Sequence, residues 1–332
     1  MIRKCVILAT LFIAICTAEV ATHSPKINLE DKLTPEHFIR ANGIINSLYS
    51  LDNILYISTL NGEVEIWDLA KKAKIGEISL ENIVDMNGKS IKPKVFFSHT
   101  LDNKKILIVS KSSVVGKTNI SIYSDGKLKA LDLDDKARMI KRAFFINDEE
   151  ILISVDSYAI LLYNINSEKI VWYLEPEFEV FTDLAVNGNV ALASTEGGKI
   201  YVINLKNGEI LKYLQGANFD KIISLASAKN IAITAGRDKY CGIYDIKNGD
   251  FHRIKADFFI NTADISADST LGAIIYNIQR DILLFDTKTL KAVAIIDGTY
   301  VAQDWTDRQI RFLDNNTIAT FSDKSVRVAK IR

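Results

Sequence analysis

The sequence predicts an all-β chain folded as a seven-bladed β-propeller whose last blade is closed by an N-terminal strand. Three observations carry that expectation. One type of strand end recurs seven times, as Ile66-Trp67-Asp68-Leu69, Ile122-Tyr123-Ser124, Leu162-Tyr163-Asn164-Ile165, Val202-Ile203-Asn204-Leu205, Ile243-Tyr244-Asp245-Ile246, Leu284-Phe285-Asp286-Thr287 and Arg327-Val328-Ala329. Counted from Trp67, the steps are 56, 40, 40, 41, 41 and 43 residues, which brackets the ~40–45-residue period of four-stranded blades and leaves one insertion. Within each repeat apolar residues alternate with small or polar ones, the period of a half-buried strand, and no helical period competes with it.

At the extreme N-terminus, Arg3 and Lys4 precede the apolar run CVILATLFIAIC, which ends in Cys16-Thr17-Ala18. This is a secretory signal pattern, so residues 1–18 are expected to be removed by cleavage near Ala18 and the mature protein to reside in the periplasm. The run is too short to span a bilayer of about 30 Å, so no membrane span is expected in the mature chain. Lipidation at Cys16 is the alternative, and Ile15 before it is the wrong residue for a lipobox. Residues 19–332 then form one domain.

Residues 25–33, with Ile27 and Leu29 in alternation, are expected to supply the fourth strand that the seventh repeat lacks, because that repeat ends with its third strand at 325–331. An unpaired third strand would leave a row of open N–H and C=O groups, so ring closure is favoured. Thr34-Pro35-Glu36-His37-Phe38 is expected to form a short helical turn or loop. Residues 81–94, ENIVDMNGKSIKPK, account for the 56-residue step and read as a loop or small hairpin projecting from one face. Residues 111–119 read as a long turn. The fifth repeat is the clearest, with strands at 222–226, 231–235, 240–246 and 251–255 separated by Asn230, Arg237-Asp238 and Lys247-Asn248-Gly249.

Composition narrows the function. With 41 basic and 41 acidic residues spread along the chain, nucleic-acid binding has no electrostatic support. Losing Cys5 and Cys16 with the leader leaves Cys241 alone, so no internal disulfide can form, and its strand position marks it as a small buried hydrophobe. His23, His37, His99 and His252 show no metal-ligand spacing, and no phosphate loop or nucleophile elbow occurs. Asp68, Asp238, Asp245 and Asp286 sit at strand ends and turns, where a carboxylate accepts backbone N–H bonds.

At Ala235-Gly236-Arg237-Asp238-Lys239-Tyr240-Cys241-Gly242-Ile243-Tyr244-Asp245 the chain resembles a WD40 repeat, with a Gly-x-Asp turn and an aromatic-acid strand end; Trp67-Asp68 carries the dipeptide literally. Ile265-Ser266-Ala267-Asp268 is similar to the family's Ser-Pro-Asp-Gly corner. The likeness covers about residues 25–332. The Gly-His dipeptide is absent, so the family's His-Ser/Thr-Asp-Trp tetrad cannot be carried over. Among secreted propellers the chain resembles the NapL proteins, WD40-like periplasmic accessory proteins encoded beside the nitrate reductase. That resemblance implies an assembly or maturation role and no catalytic residues.

The loops between repeats carry an aromatic at nearly constant phase, Phe178, Phe219, Phe259 and Tyr300, with Phe181, Phe258 and Trp305 close by. In a propeller these loops share one face, so the rings either form an arc of interface anchors or plug the gaps between blades. Exposure of Phe178 and Phe219 distinguishes the two. Asn87, Lys89 and Lys92 are the polar candidates on the insertion.

The expectation is therefore a monomeric, non-enzymatic platform for other periplasmic proteins, with nitrate reductase components as the favoured partners and no cofactor. A lactonase or quinoprotein-like enzyme is the alternative, although Trp67, Trp172 and Trp305 do not recur at matched positions. An outer-membrane assembly lipoprotein is a third.

Overall fold

The computed structural model describes residues 22–23, 32–133, 137–156, 159–176, 178–298 and 310–331. The leader expected at 1–18, Ile27 and Leu29, and the loop bearing Tyr300 and Trp305 lie outside the described residues. The protein is a seven-bladed β-propeller. Blade 1 comprises Ile45–Leu51, Ile54–Thr59, Glu63–Asp68 and Ala73–Ser79; blade 2 comprises Val95–His99, Ile106–Lys111, Thr118–Ser124 and Lys127–Leu131. Blade 3 follows with Ile140–Phe145, Glu150–Val155, Ala159–Asn164 and Lys169–Leu174, and blade 4 with Phe181–Asn187, Val190–Thr195, Ile200–Asn204 and Ile210–Leu214. Ile222–Ala228, Ile231–Gly236, Tyr240–Asp245 and Phe251–Lys255 form blade 5, and Ala263–Ile265, Leu271–Ile275, Ile282–Asp286 and Ala292–Ile296 form blade 6. Blade 7 consists of Ile310–Asp314, Thr317–Ser322 and Ser325–Lys330, completed from the N-terminus.

The completing strand differs from the sequence expectation. Residues 36–38 of the expected helical turn or loop at 34–38 instead belong to the strand Glu36–Arg40, which pairs antiparallel with Ser325–Lys330, with Glu36 opposite Val328 and Arg40 opposite Ser325. A register shift between His37 and Ile39 breaks the two-residue alternation, which is what hides this strand in the sequence. Lys32–Leu33, from the segment expected to close the ring, instead pairs parallel with Ile295–Ile296 as a fifth strand on blade 6, and Thr22–His23 does the same on blade 5 against Arg253–Ile254. The N-terminal segment therefore staples three consecutive blades.

The core lies in the seams between sheets. Tyr56, Val64 and Ile78 of blade 1 meet Val95, Ile106 and Ile108 of blade 2; Ile233, Cys241 and Ile243 of blade 5 meet Ile274, Leu283 and Phe285 of blade 6. At the closing seam Ile39 packs with Ile45, Leu55 and Ile57 of blade 1 and with Phe321 and Val326 of blade 7. Burial drives the Cys241 thiol up to about 12, which leaves it an inert core residue.

Polar groups tie the innermost strands together. The first strand of blades 1 to 5 carries a bulge near its start, at Ile45/Ser47, Val95/Phe97, Ile140/Arg142, Phe181/Asp183 and Ile222/Ser224. A bulged residue leaves the ladder and can turn towards its neighbour. Asn46 Nδ2 donates to the carbonyl of Phe96 at 2.8 Å, and Lys141 Nζ donates to that of Thr182.

Ile39 is 2% exposed at the seam between blades 7 and 1, where strands from the two ends of the chain pair. Ile39→Ala is expected to cost about 2–5 kcal/mol in urea unfolding, whereas Ile75→Ala on an exposed rim position stays within about 0.5 kcal/mol.

Candidate functional site: the blade-to-blade loop face

Each blade is entered from one face and left towards it, so the loops between blades and the turns between second and third strands lie together. Exposed large hydrophobics concentrate there. Ile44, Val84, Met86, Val114, Val115, Met139, Phe178, Phe219 and Ile278 all occupy those loops and turns. Ile75, Leu128, Val171, Leu211, Tyr213 and Val293 lie on the outermost strands, and among the described residues Leu101 alone stands on the opposite face.

Phe178 is 94% exposed and Phe219 66% exposed, on consecutive loops. Both loops are clamped to the same turn, residues 196–199. Lys199 Nζ meets Glu179 Oε1 at 2.9 Å beside Phe178, and Lys221 Nζ meets Glu196 Oε1 at 2.9 Å beside Phe219. Such surface pairs add little stability but fix where the loops sit.

Phe219 is held further. Its backbone N–H donates to Asp238 Oδ2 at 2.7 Å, and the same carboxylate accepts from the Tyr240 N–H at 3.1 Å and from Asn218 Nδ2 at 3.2 Å. Thr234 Oγ1 donates to Asn218 Oδ1 at 2.6 Å and accepts from the Gly242 N–H at 2.8 Å. A methyl group at Gly236 would collide with Asp238 Oδ1 and Asn218 Nδ2, so this position admits no side chain. Asn218, Thr234 and Asp238 thus build a network, with Asn218 and Thr234 buried and Asp238 half-buried, that fixes the backbone under Phe219. The sequence signal was an Asn directly before the loop aromatic, followed downstream by Thr-x-Gly-x-Asp. Above it the Arg253 guanidinium lies 4.5 Å from the Tyr240 ring centroid and 5.1 Å from that of Phe219, with its Nε donating to Thr22 Oγ1 at 2.9 Å.

The remaining candidates separate. Phe181 is not on the surface: it lies on the first strand of blade 4, buried edge-on against Tyr201, because the strand begins there and its inward phase carries the ring into the seam. Phe258 and Phe259 are half-buried, with their rings tilted against each other and centroids 4.3 Å apart. The 81–94 insertion is a small hairpin, Ile83–Val84 against Ser90–Ile91. Asn87 and Lys89 are exposed at its tip, where Asp85 Oδ1 accepts both of their backbone N–H groups at 2.9 Å, and Lys92 Nζ donates to the Leu80 carbonyl at its base. Asp85, Val84 and Met86 were not singled out from sequence. The strand-end acids act locally: Asp245 Oδ1 accepts from the Lys247 and Asn248 N–H groups, and Asp286 Oδ1 from those of Lys288 and Thr289.

The central channel opens on the other face as a cavity of about 410 Å³ lined by the first strands of all seven blades. Charged groups on the first strands join neighbouring blades. Asp183 Oδ2 accepts the Leu225 N–H at 2.9 Å and faces Arg142, while Asp264 Oδ2 accepts the Phe312 N–H at 2.7 Å and faces Arg311. His99 lies tilted against Tyr49 with ring centroids 4.7 Å apart, and its Nδ1 accepts the Phe145 N–H at 3.2 Å, which assigns the proton to Nε2. Among the described residues no group of three or more His, Cys, Asp or Glu side chains is placed to share a metal ion, and no helix is long and apolar enough to cross a membrane.

No protein-family model matches the chain, and no curated protein matches it.

Two outcomes follow from this geometry. Asp238→Ala strips three donors of their acceptor and is expected to cost about 1–3 kcal/mol in denaturant unfolding, with faster hydrogen exchange at the Phe219 and Tyr240 amides. Burial, with a smaller push from Arg311, lowers the His99 pKa from 6.5 to about 3. Within that interval only the unfolded chain takes up the proton, so stability present above pH 6.5 is lost as the pH falls towards 3. The slope is expected to approach about 1.4 kcal/mol per pH unit between pH 6 and 4 and to be missing from His99→Gln.

Proposed function

We propose that the protein is a non-enzymatic binding platform that takes another protein on its loop face. The observation that carries this is the pair Phe178 and Phe219, exposed at 94% and 66% on loops clamped to one turn. A large ring left mostly in water contributes little to the fold, and an aromatic already held in place, as Phe219 is beneath Arg253, loses little entropy when covered, which is the property of an interface anchor. Val84, Met86, Val114 and Val115 are further exposed apolar residues on the same face, contributed by blades 1 and 2. The hairpin tip with Asn87 and Lys89 supplies a polar rim.

The narrower proposal is an accessory or assembly factor of a periplasmic respiratory reductase, with nitrate reductase components as partners. Its support is the resemblance of a secreted-type, disulfide-free, WD40-like propeller to the NapL proteins, together with the leader-like first 18 residues. The chain is proposed to act as a monomer in the periplasm.

The test is a paired capture from periplasmic extract, using the wild type and Phe178→Ser/Phe219→Ser. Both exposed positions tolerate the change, so melting temperatures should agree within about 2 °C. Proteins retained by the wild type should be at least about tenfold depleted on the double variant. Equal recovery by both proteins would overturn the assignment of the face, and absence of any reductase component from the retained set would overturn the narrower proposal.

A further inference from the structure

The fold shows twice how an extended segment docks on its rim. Thr22–His23 pairs parallel with Arg253–Ile254 of blade 5, and Lys32–Leu33 pairs parallel with Ile295–Ile296 of blade 6. The two registers are equivalent, since Ile254 lies opposite Cys241 and Ile296 opposite Ile282, each three residues before the aromatic that ends its strand, Tyr244 and Phe285. In blade 6 the docked segment is secured by the Asp297 N–H to the Leu33 carbonyl at 3.0 Å, by Lys32 against Asp281 at 3.0 Å, and by Leu33 packing into the seam with blade 7.

Blade 4 offers the same register next to the stapled blades. Leu214 lies opposite Ile200, and among the described residues no strand lies outside Ile210–Leu214. Leu211 and Tyr213 are 50% and 51% exposed in alternation, and the one charge on the strand is drawn aside, with Lys212 Nζ donating to the Lys247 carbonyl at 2.6 Å. The other open edges are guarded: Lys127 and Lys129 stand exposed on blade 2, Lys169 on blade 3, Glu36 and Arg40 on blade 7, and Lys74 pairs with Glu77 on blade 1. The chain leaves Leu214 directly into the loop of Phe219, so a strand laid along this edge emerges beside the aromatic anchors.

We propose that the outer edge of blade 4, Ile210–Leu214, is a strand-addition site for an extended segment of the partner protein, running parallel to it as Thr22–His23 and Lys32–Leu33 do on the next two blades. This rests on the protein-binding reading and says how the partner is gripped: main-chain hydrogen bonds along the edge supply affinity, and alternate side chains against Leu211 and Tyr213 supply selectivity.

The experiment uses the full chain and, as probe, the synthetic peptide KINLEDKLT, whose sequence is that of residues 26–34 and which carries the Lys-Leu pair that docks on blade 6. At millimolar peptide, amide exchange across Ile210–Leu214 is expected to slow at least about fivefold, while Phe251–Lys255, already covered, stays unchanged. Tyr213→Lys should abolish the slowing without changing the melt. No slowing, or equal slowing on Ala73–Ser79, Lys127–Leu131 and Lys169–Leu174, would overturn the site. A concentration-dependent dimer already protected at Ile210–Leu214 would overturn the partner assignment in favour of a second copy. Neither result bears on capture by Phe178 and Phe219, so failure of this site is distinguishable from failure of the face.

Discussion

The blade sheets of this protein are apolar on both faces, and that constraint organises the rest. A four-stranded sheet with Leu55 and Ile57 on one strand and Tyr56 between them cannot present either side to water; it needs a neighbour on each side. A linear array would leave two outer faces bare, and the ring leaves none. The seam between blades 7 and 1 is therefore where the fold is decided, and it is closed by a strand from the opposite end of the sequence, Glu36–Arg40. Closing a loop of nearly the whole chain carries an entropy cost that grows only slowly with length, while the contacts around Ile39 are those of an ordinary core.

The same geometry makes the two faces unequal. Connections between first and second strands are short hairpins, of two residues at 52–53, 188–189 and 229–230, with Asp52, Gly188 and Lys229 at positive φ. Those between third and fourth strands are fixed by Asx turns such as that of Asp245. Little surface is left there for anything but turn chemistry. A chain leaving an outermost strand must instead travel back to the axis before starting the next blade, so its loops are longer and cross one face. That face inherits the freedom to vary and holds the exposed apolar side chains.

Legibility followed the same division. Period, blade number and the turn role of Asp68, Asp245 and Asp286 were readable because they repeat, and repetition averages out local irregularity. An N-terminal closing strand is expected from the sequence, but at 25–33 and not at Glu36–Arg40, because the closing strand occurs once and its bulge at Phe38 spoils the alternation that would mark it. Phe181 and Phe178, three residues apart, were indistinguishable by phase along the sequence; one enters a strand and the seam, the other precedes it and stays in water. The Asn218–Thr234–Asp238 network escaped because its members are spread over 20 residues and meet only across a loop. Exposure of Val84, Met86 and Ile278 has no sequence signature at all, since an apolar residue in a loop reads equally well as a plug.

The N-terminal segment joins stability to the proposed function. Thr22 accepts from Arg253, Arg253 stacks on Tyr240 and Phe219, and Phe219 is anchored to Asp238. Blade 5 would keep its four strands without that fifth one, so the contact adds little to the sheet, yet it orders the guanidinium that holds the ring. A free phenylalanine would pay for its ordering on binding; this one is ordered beforehand by polar contacts made on folding. The segment that staples blades 5, 6 and 7 thereby also sets the pose of an anchor above blade 5, and anything that displaces Thr22–His23 from Arg253–Ile254 would release both at once.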